Sequence, residues 1–179
     1  MKKLFLVGFV AASLNTFSQV YIGEKTTISF FSETKMENID ATNTVTKPVF
    51  SASNGAFVAQ AQQTAFVFKS AFMQEHYNEN YMESEKFPFA TFKGKVKETI
   101  DYTKNGTHNV TMEGTLDMHG VSLPRTITGT LTIKDGTIIM DSKFDVKVAD
   151  HKIKVPSLYV EKIAEVIKVT FHTEMTPKK

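Results

Sequence analysis

Residues 66–94 read FVFKSAFMQEHYNENYMESEKFPFATFKG, and the spacing of their apolar residues changes twice. Phe66 and Phe68 alternate as in a strand. Phe72, Met73, His76, Tyr77 and Tyr81 then recur at three and four residues, as on one face of a helix, and from Ala90 the period returns to two. Ser70 stands where an N-cap belongs, and Pro88 ends any helical reading before the next strand. A short, aromatic-rich helix is therefore inserted between two strands of a β-rich chain.

Downstream the alternation is clean. Ala90, Phe92, Val96 and Ile100 share one face of the run 88–100, with lysines and threonines on the other. The same pattern recurs in Val110, Met112, Leu116 and Met118, in Leu123, Ile127, Leu131 and Ile133, and in Ile138, Met140, Phe144 and Val146. Asn105-Gly106, Gly120 and Asp135-Gly136 punctuate these runs, and Ile167, Val169 and Phe171 mark a last strand. Consecutive strands with one wet face, joined by tight turns, predict an antiparallel meander. Upstream, residues 25–31 form a strand, and Asn54-Gly55 offers two positive-φ positions for a hairpin pairing 45–52 with 57–68. Gln60, Gln62 and Gln63 read as a polar strand face.

About eight such strands must pack on a second sheet or close on themselves, and closure is favoured. Gly94, Gly114 and Gly129 fall in the inward register of neighbouring strands. They read as bends that let a small barrel close or as a space kept open for a guest, and one does not exclude the other.

The first 18 residues read as a secretory leader: Lys2 and Lys3, an apolar run 4–14, then Thr16-Phe17-Ser18 before Gln19. That leaves a single domain, 19–179, long enough to bury a core without staples. No cysteine is present, so neither disulfides nor thiol chemistry nor a lipid-anchored cysteine contributes. Without Lys2 and Lys3 the basic count falls from 21 to 19, against 19 acids. A net charge of zero suggests neither nucleic acid nor an anionic membrane surface as partner, and no run of about 20 apolar residues supplies a membrane span.

Catalytic patterns are missing from the sequence. His76, His108, His119, His151 and His172 do not stand at metal-ligand spacing within a helix, and there is no Gly-x-Ser-x-Gly elbow. Glu75, Glu79, Glu83 and Glu85 read as a solvated face, His76 as a helix residue donating to a backbone carbonyl, and His119 as a turn residue. Arg125, the sole arginine, lies in the inward register beside Pro124, at a barrel end with an acid for partner or against a ligand head group. Fifteen Phe and eight Met with no Trp give an inner face that suits a packed core or a guest of irregular shape.

Two stretches together resemble the bacterial YceI-like family of lipid- or polyisoprenoid-binding proteins. One runs from Phe66-Val67-Phe68 through the His76 helix to Glu85-Lys86-Phe87-Pro88-Phe89-Ala90-Thr91-Phe92; the other is Gly114-Thr115-Leu116-Asp117-Met118-His119-Gly120-Val121. Gln74-Glu75 stands where many relatives carry an Arg-Asp pair. The resemblance implies an all-β fold, an eight-stranded antiparallel lipocalin-like barrel with a short helix inserted between two strands. It also favours the glycines as cavity-forming, so that a leucine at 114 would block the cavity and leave the barrel folded.

The implied function is non-catalytic binding, storage or transport of a long apolar chain, an isoprenoid, isoprenoid quinone or other lipid, in a periplasmic or secreted protein. From register and helix face, Phe68, Phe72, Met73 and Tyr77 are expected at the mouth. Phe92, Met112, Leu116, Ile127, Leu131 and Phe144 are expected along the lining. No metal and no cofactor other than such a lipid is expected; the partner is a hydrophobic small molecule, and a homodimer is compatible with the sequence. The rival readings are a filled barrel serving as a protein-interaction module and an enzyme acting on a lipid.

Overall fold

The computed structural model describes residues 19–178; the leader reading of residues 1–18 lies outside them. Ten strands and one α-helix follow in order: β1 Val20–Glu33, β2 Asn38–Asn43, β3 Val49–Ser51, β4 Ala56–Gln62, β5 Val67–Phe68, α1 Ala71–His76, β6 Phe89–Val96, β7 Gly106–Met118, β8 Val121–Lys134, β9 Thr137–Lys147 and β10 Val166–Pro177. Eight of these close a ring in the order β1, β10, β9, β8, β7, β6, β4, β3 and back to β1, every pair antiparallel.

One edge of β1 serves two neighbours. Its start pairs with β3, placing Tyr21 opposite Phe50, while Ile28 to Glu33 pairs with β2, which carries β5 in turn. The β2–β5 pair thus forms a flap beside the ring, and the Asn43 Nδ2 amide donates to the Gln62 carbonyl at 3.0 Å to tie it to β4. The flap was not predicted, because NIDATN offers only Ile39 and Ala41 as apolar residues. The predicted strand 45–52 shrinks to Val49–Ser51, and Val45 is exposed.

Turn chemistry sets the meander. His119 and Gly120, then Asp135 and Gly136, take positive φ in pairs and make two-residue turns whose twist matches the strands. Asn54-Gly55 does not repeat this: only Gly55 has positive φ, and its N–H reaches back to the Ser51 carbonyl at 2.8 Å in a wider turn. Asn105-Gly106 ends a longer connection instead, with Asn105 held to Asp135 through both ends of its amide.

The helix forms as its spacing predicts. The Ser70 hydroxyl accepts from the Met73 N–H at 3.5 Å, and α1 widens into a π-turn over Tyr77–Tyr81. Six residues are too few for a helix to persist alone, so its stability comes from the rings it packs against.

The barrel is filled at one end only. Tyr21, Phe50, Val96, Leu131, Ile133, Ile138, Met140 and Met175, all at most 3% exposed, close one half. The three inward glycines belong to the wall's curvature. A Cβ at Gly114 would stand 2.5 Å from the Gly94 Cα and closer still to the Lys93 carbonyl oxygen, and one at Gly129 would strike the Asp141 carbonyl. Backbone of the neighbouring strand already occupies that space at 114 and 129, and at Gly94 the Phe92 ring, 2.7 Å from where a Cβ would stand, and the Glu113 carbonyl at 3.0 Å fill it. The expectation that these glycines open the cavity is therefore corrected: they allow close approach where the sheet coils.

Candidate ligand cavity

The other half of the barrel is hollow. A cavity of about 350 Å³ is walled by inward residues from one end of every long strand, including Ile28 and Phe30 of β1, Phe57, Ala59 and Ala61 of β4, Phe92 of β6, Leu116 of β7 and Phe144 of β9. Period-two alternation places these side chains inside, as it places the packed residues further along the same strands.

Two covers lie over this end. One is α1 with its π-turn, contributing Phe72, Met73, His76, Tyr77 and Tyr81; the other is the segment after β9, contributing Ile153, Val155, Tyr159 and Ile163. They meet where the His76 ring lies between Phe72 and Tyr159, with centroid separations of 4.1 and 6.3 Å. His76 was expected to donate to a carbonyl; its contacts are these rings. Phe72 lines the cavity while 63% exposed, so the cavity reaches the surface beside it. Glu37 and Lys162, 3.9 Å apart, are the charged residues of the lining.

Tyr77 anchors the helix to the wall. Its ring stacks on Phe30 at 5.5 Å and meets Phe68 at 4.9 Å, arrangements worth about 1 kcal/mol each beyond burial. Its hydroxyl donates to Gln63 Oε1 at 2.6 Å, and burial pushes its pKa well above the ordinary 10.0, so it stays a donor.

Polar contacts clasp the covers to the barrel. In the β7–β8 turn, His119 Nδ1 faces the His151 carbonyl at 3.0 Å and Nε2 faces Glu83 Oε2 at 2.8 Å. One imidazole thus joins the end of the helical cover to the start of the other. Arg125 lies with its side chain largely buried, 3.7 Å from Asp150, the acid-partnered position expected for it.

His151 is fully buried and donates from Nδ1 to the Met118 carbonyl at 3.2 Å. Burial, helped by the Arg125 charge, holds its pKa below the ordinary 6.5, against the opposing pull of the Met118 and Val121 carbonyls and Asp150. The unfolded chain therefore takes up this proton at higher pH than the folded one. Stability is expected to fall as pH drops below about 6.5. Thermal melting between pH 7.5 and 5 checks it: His151→Leu should flatten that part of the curve.

Nine of the ten residues expected at mouth and lining face this cavity: Phe68, Phe72, Met73, Tyr77, Phe92, Met112, Leu116, Ile127 and Phe144. Leu131 does not. It is fully buried in the packed half, opposite Met140, because register gives the face of a residue and not its height along the barrel. Phe30, Ala59, Ala61, Gln63 and the whole second cover were not anticipated. For Ala59, Ala61 and Gln63 the signal was present, since they continue the inward alternation of Phe57.

A YceI-like domain model matches residues 11–175. The chain belongs to the YceI-like family. Among solved structures, this YceI-like barrel is similar to a polyisoprenoid-binding domain from Saccharophagus degradans implicated in plant cell wall breakdown. The TM-score is 0.76 at 15% identity, over 88% of this chain and 98% of that one. Burkholderia cenocepacia BcnA follows with TM-score 0.62 and 16% identity over 83% and 95%. The Campylobacter jejuni YCEI protein gives 0.57 and 17% over 100% and 99%. At these identities the likeness is one of fold. No curated protein matches the chain.

Proposed function

We propose that this YceI-like barrel binds a long apolar chain, an isoprenoid or another lipid, in its hollow half, and stores or carries it without catalysis. The observation that carries the reading is the cavity itself: an apolar space inside a closed barrel, reaching the surface between two covers. The polyisoprenoid-binding relative supports the same ligand class. At roughly 0.8 kcal/mol per buried CH₂, ten methylenes contribute about 8 kcal/mol before ordering costs. That is enough for useful affinity without a strong polar contact. The leader-like residues 1–18 fit a periplasmic or secreted carrier.

Native mass spectrometry of protein purified from its own envelope fraction, followed by organic extraction, tests this. The expected result is a bound mass that extracts as a long-chain lipid. A clean apo mass, with no uptake of offered lipids, would sink the carrier reading and favour a barrel acting through its outer face.

A further inference from the structure

The hollow half stops at a floor, and the strand register shows where. Across β10, β9 and β8, Phe171 pairs with Ser142 and Ser142 with Gly129. Phe171 and Ser142 face the cavity, and Gly129 adds no side chain. Two residues deeper along the same strands, Thr173 pairs with Met140 and Met140 with Leu131. This second row is at most 1% exposed and closes the space from below. The change from hollow to packed thus takes place over a single inward step on adjoining strands.

A space with a floor has a capacity. An apolar cavity of about 150 Å³ holds one benzene, or about 25 Å³ for each carbon. At that rate the 350 Å³ of this cavity takes about fourteen carbons. The wall is a closed ring of paired strands, which does not widen locally without breaking its hydrogen bonds. Chain in excess of the capacity emerges beside Phe72, where the cavity reaches the surface, and meets water there. Each methylene left in water instead of in a bilayer lowers uptake about fourfold.

Resting on the carrier reading above, we infer that the barrel is a ruler for its guest: it accepts an apolar chain of about fourteen carbons, close to three isoprene units, and discriminates against longer chains. Thr173, Met140 and Leu131 set the depth. A guest of four isoprene units leaves most of one unit unsheltered, whatever its head group.

The test is partition from phosphatidylcholine vesicles onto the purified protein, quantified by extraction and mass spectrometry, with geraniol, farnesol and geranylgeraniol as probes. They share one head group and carry two, three and four isoprene units. The wild type should take up the first two comparably and geranylgeraniol at least about tenfold less. The double variant Leu131→Ala/Met140→Ala removes about six atoms from the floor, roughly one isoprene unit of depth. It should bring geranylgeraniol to within about threefold of farnesol. Ala59→Phe works in the opposite sense and takes nothing out of the core: a ring added to the cavity lining should move the break down to between geraniol and farnesol. This variant decides the matter if the double one does not fold. A wild type with no break, or with one below farnesol, overturns the ruler and leaves the carrier reading standing, as does a folded Ala59→Phe protein that keeps the wild-type order. A wild type that takes up none of the three overturns both.

Discussion

Gly114→Ala is expected to lose about 3 kcal/mol or more of unfolding free energy, a size reserved for changes that force backbone apart. The added methyl would meet the Lys93 carbonyl and, at 2.5 Å, the Gly94 Cα. Neither is the far end of a flexible side chain. Gly114 and Gly94 are directly opposed across β6 and β7, so relief requires the two strands to separate. Urea unfolding measures it, with Gly106→Ala as control: there the nearest atom is the His108 Nε2 at 3.4 Å, and the change should stay within about 0.5 kcal/mol. Equal small losses at both sites would show that the wall is not closed on glycine backbone. The same geometry rules out a leucine at 114 as a cavity plug, since it would break the container before filling it.

A plug has to start from a side chain that already faces the empty space. Ala59→Phe is such a change. Ala59 lies opposite Phe92 on adjoining strands and lines the cavity. A ring there would displace the equivalent of about four methylenes of guest, or about 3 kcal/mol, which is roughly a hundredfold in affinity. The same ring fills existing volume, so the melting temperature of the empty protein should hold or rise. Lipid occupancy by native mass spectrometry, read beside that melting temperature, separates the two effects. Full occupancy in a folded Ala59→Phe protein would place the guest elsewhere.

What could be read ahead of the structure depended on how local the cause was. The strands β6 to β10 were legible because each has one wet face, so alternation gives both existence and register. The insertion of α1 was legible because its apolar period changes at Ser70 and again before Ala90. Pairings set by distant partners were not: nothing in residues 20–33 says that one edge of β1 is divided between β3 and β2. Residues 148–165 carry no regular period, and their role as a second cover follows from where β9 releases the chain. Parity alone also misled at the glycines, because an inward position without a side chain looks the same whether a guest or a neighbouring backbone fills it. Gln63 was placed with Gln60 and Gln62 on a wet face, although Gln63 shares its parity with Ala61 and is buried while the other two are exposed.

The ring closes through its first and last strands, and this governs how the molecule can be made. Thr26 and Thr173 touch through their hydroxyl oxygens at 2.8 Å, and Lys25–Glu174 and Lys168–Glu33 cross the same seam. These partners are about 135 to 149 positions apart along the chain, so β1 has no final neighbour on that side until the end of the polypeptide arrives. Such closure is entropically late and slow, and until it happens two strand edges stand open to any other chain. Complementary charges on those edges do double duty: apart, they keep unfinished sheets from zipping onto one another; together, they select the register in which the barrel finally shuts.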